Sequence, residues 1–279
     1  MEQWQKWTDD DARLFIKVPT ELDDKYSRGV LGVIAGSNQY PGAAVMVCEG
    51  ALRTGVGMVR YLGPAKAESL LLTHRPEVVI QDGQVQAWTI GSGIDPDEIS
   101  WQRELTMKAK LDQEIPVILD AGGLSLLPKL RAPGIITPHF RELASLLRSS
   151  GTSVSDADIR KEPKKWARFT ADVFHVTVLL KGNVSYIASK DREIELASAS
   201  PWLATAGTGD VLAGIIGALV ATHSHEITEQ PDFLSGLAAT GSFIHAKAAH
   251  IASNGGPISA MGLAHAIPRA ISDLLHKGI

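Results

Sequence analysis

A chain of 279 residues with 27 Lys and Arg against 31 Asp and Glu carries a formal net charge of −4, which gives no basic stripe for nucleic acid. Its 44% hydrophobic and 21% charged residues are ordinary for a soluble globular chain. Its one cysteine, Cys48, excludes an internal disulfide and is expected as plain core in a helix.

Residues 1–28 are polar and mixed and read as a short helix and a loop. The first ten residues lack a positive stretch followed by an apolar core, so no signal peptide is expected. No apolar run of about 18 residues follows anywhere, so a membrane span is not expected and a cytoplasmic location is. Val30–Ala35 is a buried-strand pattern running into Gly36-Ser37-Asn38, and Gly42–Thr54 is helical until Gly55 and Gly57 break it. Met58–Leu62, Val78–Ile80 and Trp88–Ile90 are strand-like, the last leading into Gly91-Ser92-Gly93. Ser100–Leu111 reads as a polar helix, Pro116–Leu119 as a strand ending at Asp120, and Gly134–Ile136 as a strand ending at Thr137-Pro138-His139. A helix over Phe140–Arg148 precedes the strand Val176–Leu180, which stops at Lys181-Gly182, and Tyr186–Ala188 opens a hairpin. Long helices over Val211–Ala221, Phe233–Ser253 and Leu263–Leu275 complete the chain. Strands alternating with helices imply a mostly parallel sheet covered on both faces, in one domain over residues 1–279. Ligands are then expected beyond the carboxyl ends of the strands.

The strongest chemical signal is Thr205-Ala206-Gly207-Thr208-Gly209-Asp210 ahead of an apolar helix. Glycines admit a ligand close to backbone N–H groups, and the helix places its positive end there, so the segment suits a phosphate. Asp210 reads equally as a general base beside that phosphate or as an ordinary helix cap. No Gly-Lys dipeptide occurs, so there is no Walker A loop, and Gly91-Ser92-Gly93-Ile94-Asp95-Pro96 has Pro96 where a dinucleotide fingerprint needs its third glycine. His223-x-His225 reads as a loop after a helix, and the histidines show no convincing metal spacing.

The run Gly207–Gly217 resembles the GTGD anion-hole motif of ribokinase-like small-molecule kinases. Four further segments, in order, resemble the ADP/ATP-dependent NAD(P)H-hydrate dehydratases of that superfamily: Gly36-Ser37-Asn38-Gln39-Tyr40-Pro41-Gly42-Ala43-Ala44, Val117–Leu124 with its strand-end Asp120-Ala121, Thr137-Pro138-His139 with Glu142, and Leu180-Lys181-Gly182. The resemblance covers roughly residues 25–270 and implies a three-layer α/β/α sandwich. It also implies an ADP- or ATP-dependent dehydration of the S-epimer of NAD(P)H-hydrate that restores NAD(P)H. On that resemblance Ala43, Gly93, His139 and Asp210 contact the hydrated dinucleotide. Lys181, Gly182, Asn183, Val184 and Ser185, with Gly207, Thr208 and Gly209, line the nucleotide, and Asp210 is the base. Mg²⁺ is implied on phosphate oxygens rather than in a protein cage, as are a homotetramer and pairing with a separate epimerase chain. Phe140-Arg141 stands where the family has Pro-Gly, Gly122 where it has a second Asp, and Ala206 where it often has Gly, which makes Arg141 a candidate phosphate contact. A ribokinase-like kinase for a vitamin precursor (hydroxymethylpyrimidine, thiazole or pyridoxal type) shares the GTGD chemistry and is the nearest alternative. A non-catalytic nucleotide sensor is a further one, for which Asp210 would have no use.

Overall fold

Nearly every apolar run bounded by Gly, Asp or Pro forms a strand in the computed structural model, which describes residues 4–230 and 232–276. In chain order the strands are β1 (Gln5–Lys6), β2 (Val30–Ile34), β3 (Met58–Tyr61), β4 (Ala87–Ile90), β5 (Val117–Leu119), β6 (Gly134–Ile136), β7 (Thr177–Leu180), β8 (Tyr186–Ala188) and β9 (Glu193–Glu195). They lie side by side in one sheet, in the order β1-β9-β8-β7-β6-β5-β4-β2-β3. Among the described residues only β8 runs against its neighbours, pairing antiparallel with β7 and β9. The Tyr186 hairpin is therefore present.

The helices are α1 (Asp9–Arg13), α2 (Gly42–Thr54), α3 (Ala65–His74), α4 (Trp101–Leu111), α5 (Phe140–Ser149), α6 (Asp156–Lys161), α7 (Pro163–Phe174), α8 (Thr208–Thr222), α9 (Ser224–Glu229), α10 (Phe233–Ser253) and α11 (Ala260–His276). The two-residue pleat decides which face each strand residue serves. Leu31, Val33, Ile118 and Leu179 enter a core shared with α2, α8, α10 and α11, whereas Val30, Ile34, Leu119, Val178 and Leu180 enter a second core shared with α4, α5 and α7. The result is the three-layer α/β/α sandwich with a mostly parallel sheet that the sequence suggests. No helix among the described residues is long and apolar enough to cross a membrane.

The expected strand over Val78–Ile80 is instead a single bridge, Val79 to Arg60. Tyr61 N donates to Val79 O and Val79 N to Val59 O, after which Ile80 leaves the sheet edge, 42% exposed. Helix α8 starts three residues earlier than the apolar pattern indicates, so the glycine-rich segment forms its first turn. His223 and His225 do not meet as a pair: His223 is buried and accepted at Leu219 O, while His225 is largely exposed on α9. Cys48 is fully buried in α2, and burial pushes its thiol well above the usual range.

Two features of this fold place the chemistry. The chain passes from β2 outward to β3 and then returns to the other side of β2 as β4, so the strand order reverses there and leaves a crevice beyond the ends of β2 and β4. Helix α8, apolar all round and buried along most of its length, lies against α2 with backbones nearly touching. A Cβ on Gly50 would stand 2.3 Å from Val211 O, and one on Gly214 2.0 Å from Val47 O.

Candidate active site

The site grows from the carboxyl ends of β4 to β7 and the amino end of α8. Gly207, with φ of +89°, takes the left-handed conformation that starts α8, and Thr208, Gly209 and Asp210 form its first turn. The Thr208 hydroxyl donates to Leu203 O and Thr205 O, both at 2.9 Å, which fixes the turn against the preceding loop. Amides at the start of a helix have no acceptor within it, so they and the helix dipole form an anion receptor. Asp210 is not the cap, because no side chain caps this helix and Asp210 sits at its third position. Among the described residues no hydrogen bond reaches its carboxylate. Burial, and then the nearby Asp120 charge, push it up to about 7, although Lys181 pulls the other way.

Lys181 follows β7 and reaches back over the sheet. Its Nζ donates to Asp120 Oδ1 at 2.8 Å and lies 3.9 Å from Glu142 Oε2. Burial alone would draw Lys181 down, but Asp120, Glu142 and Asp210 together hold it above the usual lysine range. Asp120, 2% exposed, also accepts from Thr137 Oγ1 at 2.7 Å and Ser92 Oγ at 2.8 Å. Burial would raise it, yet the Lys181 ammonium and these hydrogen bonds hold it below the usual carboxylate range. His139 caps α5 reciprocally with Glu142: Glu142 N donates to His139 Nδ1 and His139 N to Glu142 Oε2. Lys181 N donates to Pro138 O, which brings the His139 and Lys181 segments side by side.

His139, Lys181 and the first turn of α8 border a cleft of about 740 Å³, lined by Gly182, Asn183, Ser185, Thr208 and Gly209, with Phe140, Leu212 and His245; Asp210, next to Gly209, and Asp120, behind Lys181, do not themselves line it. Of the nucleotide residues expected from sequence, Val184 and Gly207 do not line it; Val184 sits behind Gly182, and Gly207 packs on Met46. Asn183 ties its loop to the opposite wall, donating from Nδ2 to Ser198 Oγ and accepting from Ala199 N.

Ala43 and Gly93 meet in a second cluster at the β2/β4 crevice. Gly93 has φ of +66°, and a Cβ there would lie 2.4 Å from Ala43 Cβ and 3.3 Å from Gly36 Cα. Gly36 N donates to Ser92 O, and Arg103 holds the loop from below through Gly36 O at 2.6 Å. Met46, three residues into α2 from Ala43, packs on Gly207 at the start of α8, so the amino ends of the two helices lie beside each other.

Sequence reasoning missed Ser92 as a working residue, and also His245. His245 Nε2 donates to Thr208 O at 2.8 Å, and burial pulls its pKa down to about 4, so it stays neutral. Its signal was a lone polar ring within an apolar helix beside the glycine turn. The Ser92 and Thr137 hydroxyls were readable as polar residues just past strand ends. Arg141 is exposed and does not line the cleft; its neighbour Phe140 does, packed over Gly182 and beneath the Arg160 guanidinium at 4.7 Å. Gly122 has no room for the family's acid, since a Cβ there would lie 2.1 Å from Ile94 O.

The sequence profile of NAD(P)H-hydrate dehydratases matches residues 31–270. The chain belongs to the NAD(P)H-hydrate dehydratase family. Within it, the ADP-dependent (S)-NAD(P)H-hydrate dehydratase of Bacillus subtilis is 30% identical over 232 residues, covering 78% of this chain and 81% of that protein. The bifunctional NAD(P)H-hydrate repair enzyme Nnr of Mycobacterium tuberculosis is 43% identical over 218 residues, 74% of this chain and 43% of that protein. The chain spans about half the length of such bifunctional relatives. A crystal structure of the Bacillus subtilis ADP/ATP-dependent NAD(P)H-hydrate dehydratase, co-crystallised with ATP/Mg²⁺, superposes with a TM-score of 0.84 at 24% identity. The match covers 98% of this chain and all of that one, and the shared fold is ribokinase-like. Of the family's ordered motifs, those at 137–142, 180–182 and 207–217 supply residues to the cleft, and those at 36–44 and 117–124 lie at neighbouring strand ends.

Proposed function

We propose that this protein dehydrates the S-epimer of NAD(P)H-hydrate at the expense of ADP or ATP, restoring NAD(P)H and releasing phosphate with AMP or ADP. The observation that carries the reading is Asp210. It is a carboxylate without a hydrogen-bond partner among the described residues, raised to about 7, at the anion-binding end of α8 and beside a lysine-lined cleft. A general base works best when its pKa lies near the working pH.

In this reading the nucleotide phosphates lie against the first-turn amides of α8 and Lys181, between Lys181–Ser185 and Thr208–Gly209. The hydrated nicotinamide ring enters from the Ala43–Gly93 crevice, with His139 at the boundary. Asp210 takes the proton of the substrate hydroxyl as its oxygen attacks the terminal phosphorus. The new O–P bond forms while the bond to the departing nucleotide breaks. The ring-nitrogen lone pair then expels phosphate, and loss of a proton from the adjacent ring carbon restores the double bond. The α8 amides and Lys181 stabilise charge on the transferring group.

Among the described residues no group of three or more His, Cys, Asp or Glu side chains could hold a metal ion. In this reading an Mg²⁺ would be held by the nucleotide phosphates, where it would neutralise their charge. One sheet joins all the described strands, which supports reading residues 1–279 as a single catalytic domain. We expect a cytoplasmic homotetramer that works beside an NAD(P)H-hydrate epimerase.

The test is incubation with hydrated NADH, Mg²⁺ and ADP or ATP while the NADH absorbance band is followed. Nucleotide-dependent growth of the band supports the reading and identifies the donor. A stable phosphorylated product without NADH points to a small-molecule kinase. Asp210→Asn should retain nucleotide binding and lose about 10²–10⁴-fold in rate; loss of binding together with rate would assign Asp210 a structural part.

A further inference from the structure

Asp120 is not among the residues that the family resemblance assigns to substrate or nucleotide, yet it sits at the centre of the site. It ends β5, and three donors engage both its oxygens: Ser92 past β4, Thr137 past β6 and Lys181 past β7. Four neighbouring strand ends are thereby joined through one buried carboxylate. With both oxygens engaged and only 2% exposure, Asp120 does not line the cleft itself.

Lys181 is different. An ammonium has three N–H groups. Asp120 receives one at 2.8 Å, while Glu142 at 3.9 Å lies beyond hydrogen-bond reach. The other two have no acceptor among the described residues, and Lys181 lines the cleft. Nζ also lies against the α8 turn, since a Cβ on Gly209 would stand 3.7 Å from it and the glycine leaves that path open. A lysine stem is flexible and costs entropy to immobilise. A buried, hydrogen-bonded carboxylate that holds the ammonium meets that cost before the ligand arrives.

We propose that Asp120 is a positioning residue for phosphoryl transfer: it clamps the Lys181 ammonium so that two N–H groups point at phosphoryl oxygens, and its charge offsets that of Lys181 around Asp210. The inference rests on reading the cleft as a nucleotide site. The charged and titratable groups around it are Asp210 on α8, Glu142 and His139 on α5, Arg160 on α6 and His245 on α10. Asp120 and Lys181 act on Asp210 with opposite sign, the first raising and the second lowering its pKa. Their removal therefore moves the base in opposite directions.

The experiment compares Asp120→Asn, Lys181→Met and the double variant, with circular dichroism to establish folding. Asp120→Asn should raise the KM for ADP about tenfold or more, in line with loss of a charge-assisted anchor. It should also move the acid limb of the kcat/KM profile to lower pH, whereas Lys181→Met should move it to higher pH. Because Asp120 acts through Lys181, the double variant should fall no further in kcat/KM than Lys181→Met alone. A folded Asp120→Asn with wild-type KM for ADP and an unmoved acid limb reduces Asp120 to a staple between strands and overturns the proposal. So does a double variant that loses the product of the single losses. If Asp120→Asn does not fold, Ser92→Ala removes one of the three hydrogen bonds while keeping the charge, and an unchanged KM for ADP in that variant is equally adverse. If the wild type fails to turn over hydrated NADH, the proposed function falls by itself. Calorimetric titration with ADP and Mg²⁺ then decides the present point: weaker binding in Asp120→Asn that the double variant does not deepen supports it, and equal affinity defeats it.

Discussion

Replacing Asp210 by Asn should stabilise the protein while disabling it, and the gain should depend on pH. In the folded chain the Asp210 carboxyl titrates near 7, raised first by burial and then by Asp120. In the unfolded chain it reverts to the ordinary aspartate value. Between those values the folded state binds more protons than the unfolded state, so stability falls as pH rises. The cost of ionising the group is nearly absent at pH 4 and fully present at pH 8. Each pKa unit is worth about 1.36 kcal/mol, which sets a ceiling of about 4 kcal/mol. Asp210 is only partly buried, and water screens part of that cost, so about 2 kcal/mol is the working figure. Asparagine imitates the protonated acid and removes the term. Urea unfolding at pH 4 and pH 8 should give nearly equal midpoints at the lower pH. At pH 8 the variant should be more stable by about 2 kcal/mol, equivalent to roughly 4–8 °C in Tm. An equal difference at both pH values, or none at pH 8, would refute the claim that this carboxylate is held in an unfavourable ionised state.

Other expectations follow from the same geometry. The wild-type kcat/KM for hydrated NADH should rise with pH through a midpoint near 7 and level above it, measured at fixed ionic strength, because the base acts only when deprotonated. Gly93→Ala places a methyl against Ala43 on a backbone with φ of +66°; it should raise the KM for the hydrated dinucleotide by about tenfold while ADP affinity, read by calorimetry, stays near wild type. Gly214→Val drives a side chain into Val47 O and should cost about 3 kcal/mol or more in chemical denaturation, with activity lost alongside. Glu49, buried in α2 and paired with Arg53 and Arg75, holds two guanidinium groups at once; Glu49→Ala should lower stability by about 3–5 kcal/mol with the cleft chemistry unchanged in the folded fraction.

Much of this was legible in the chain. The strand and helix alternation fixed the architecture, because two-residue and 3.6-residue periodicities are local properties. Gly42–Thr54 and Phe233–Ser253 match their helices residue for residue. The glycine turn at the start of α8 was visible as a helix amino end suited to a phosphate, and its ordered companions placed the family. Hidden from the sequence were groups whose meaning depends on distant partners. Lys181 looks like any strand-end lysine until Asp120, 61 residues earlier, is seen 2.8 Å away. Glu49 looks like the polar face of a helix until Arg75 arrives from α3. Val78–Ile80 has the composition of a strand, but only one residue finds a partner at the sheet edge, and composition does not report where an edge ends. Arg141 carried the charge a phosphate wants, yet the helix turn directs it outward and gives Phe140 the place inside.

The contact between α2 and α8 has an evolutionary reading. Where Gly50 and Gly214 meet the opposite backbone, no side chain mediates the spacing, so no rotamer can retune it. The distance from the Ala43 end of one helix to the Asp210 end of the other is fixed by peptide atoms and is heritable only as a whole. Variation in what reaches Asp210 is left to the loops at 36–42, 91–96 and 196–205. A lineage built on this pair can change what it binds by rewriting its loops while the Asp210 carboxylate keeps its place.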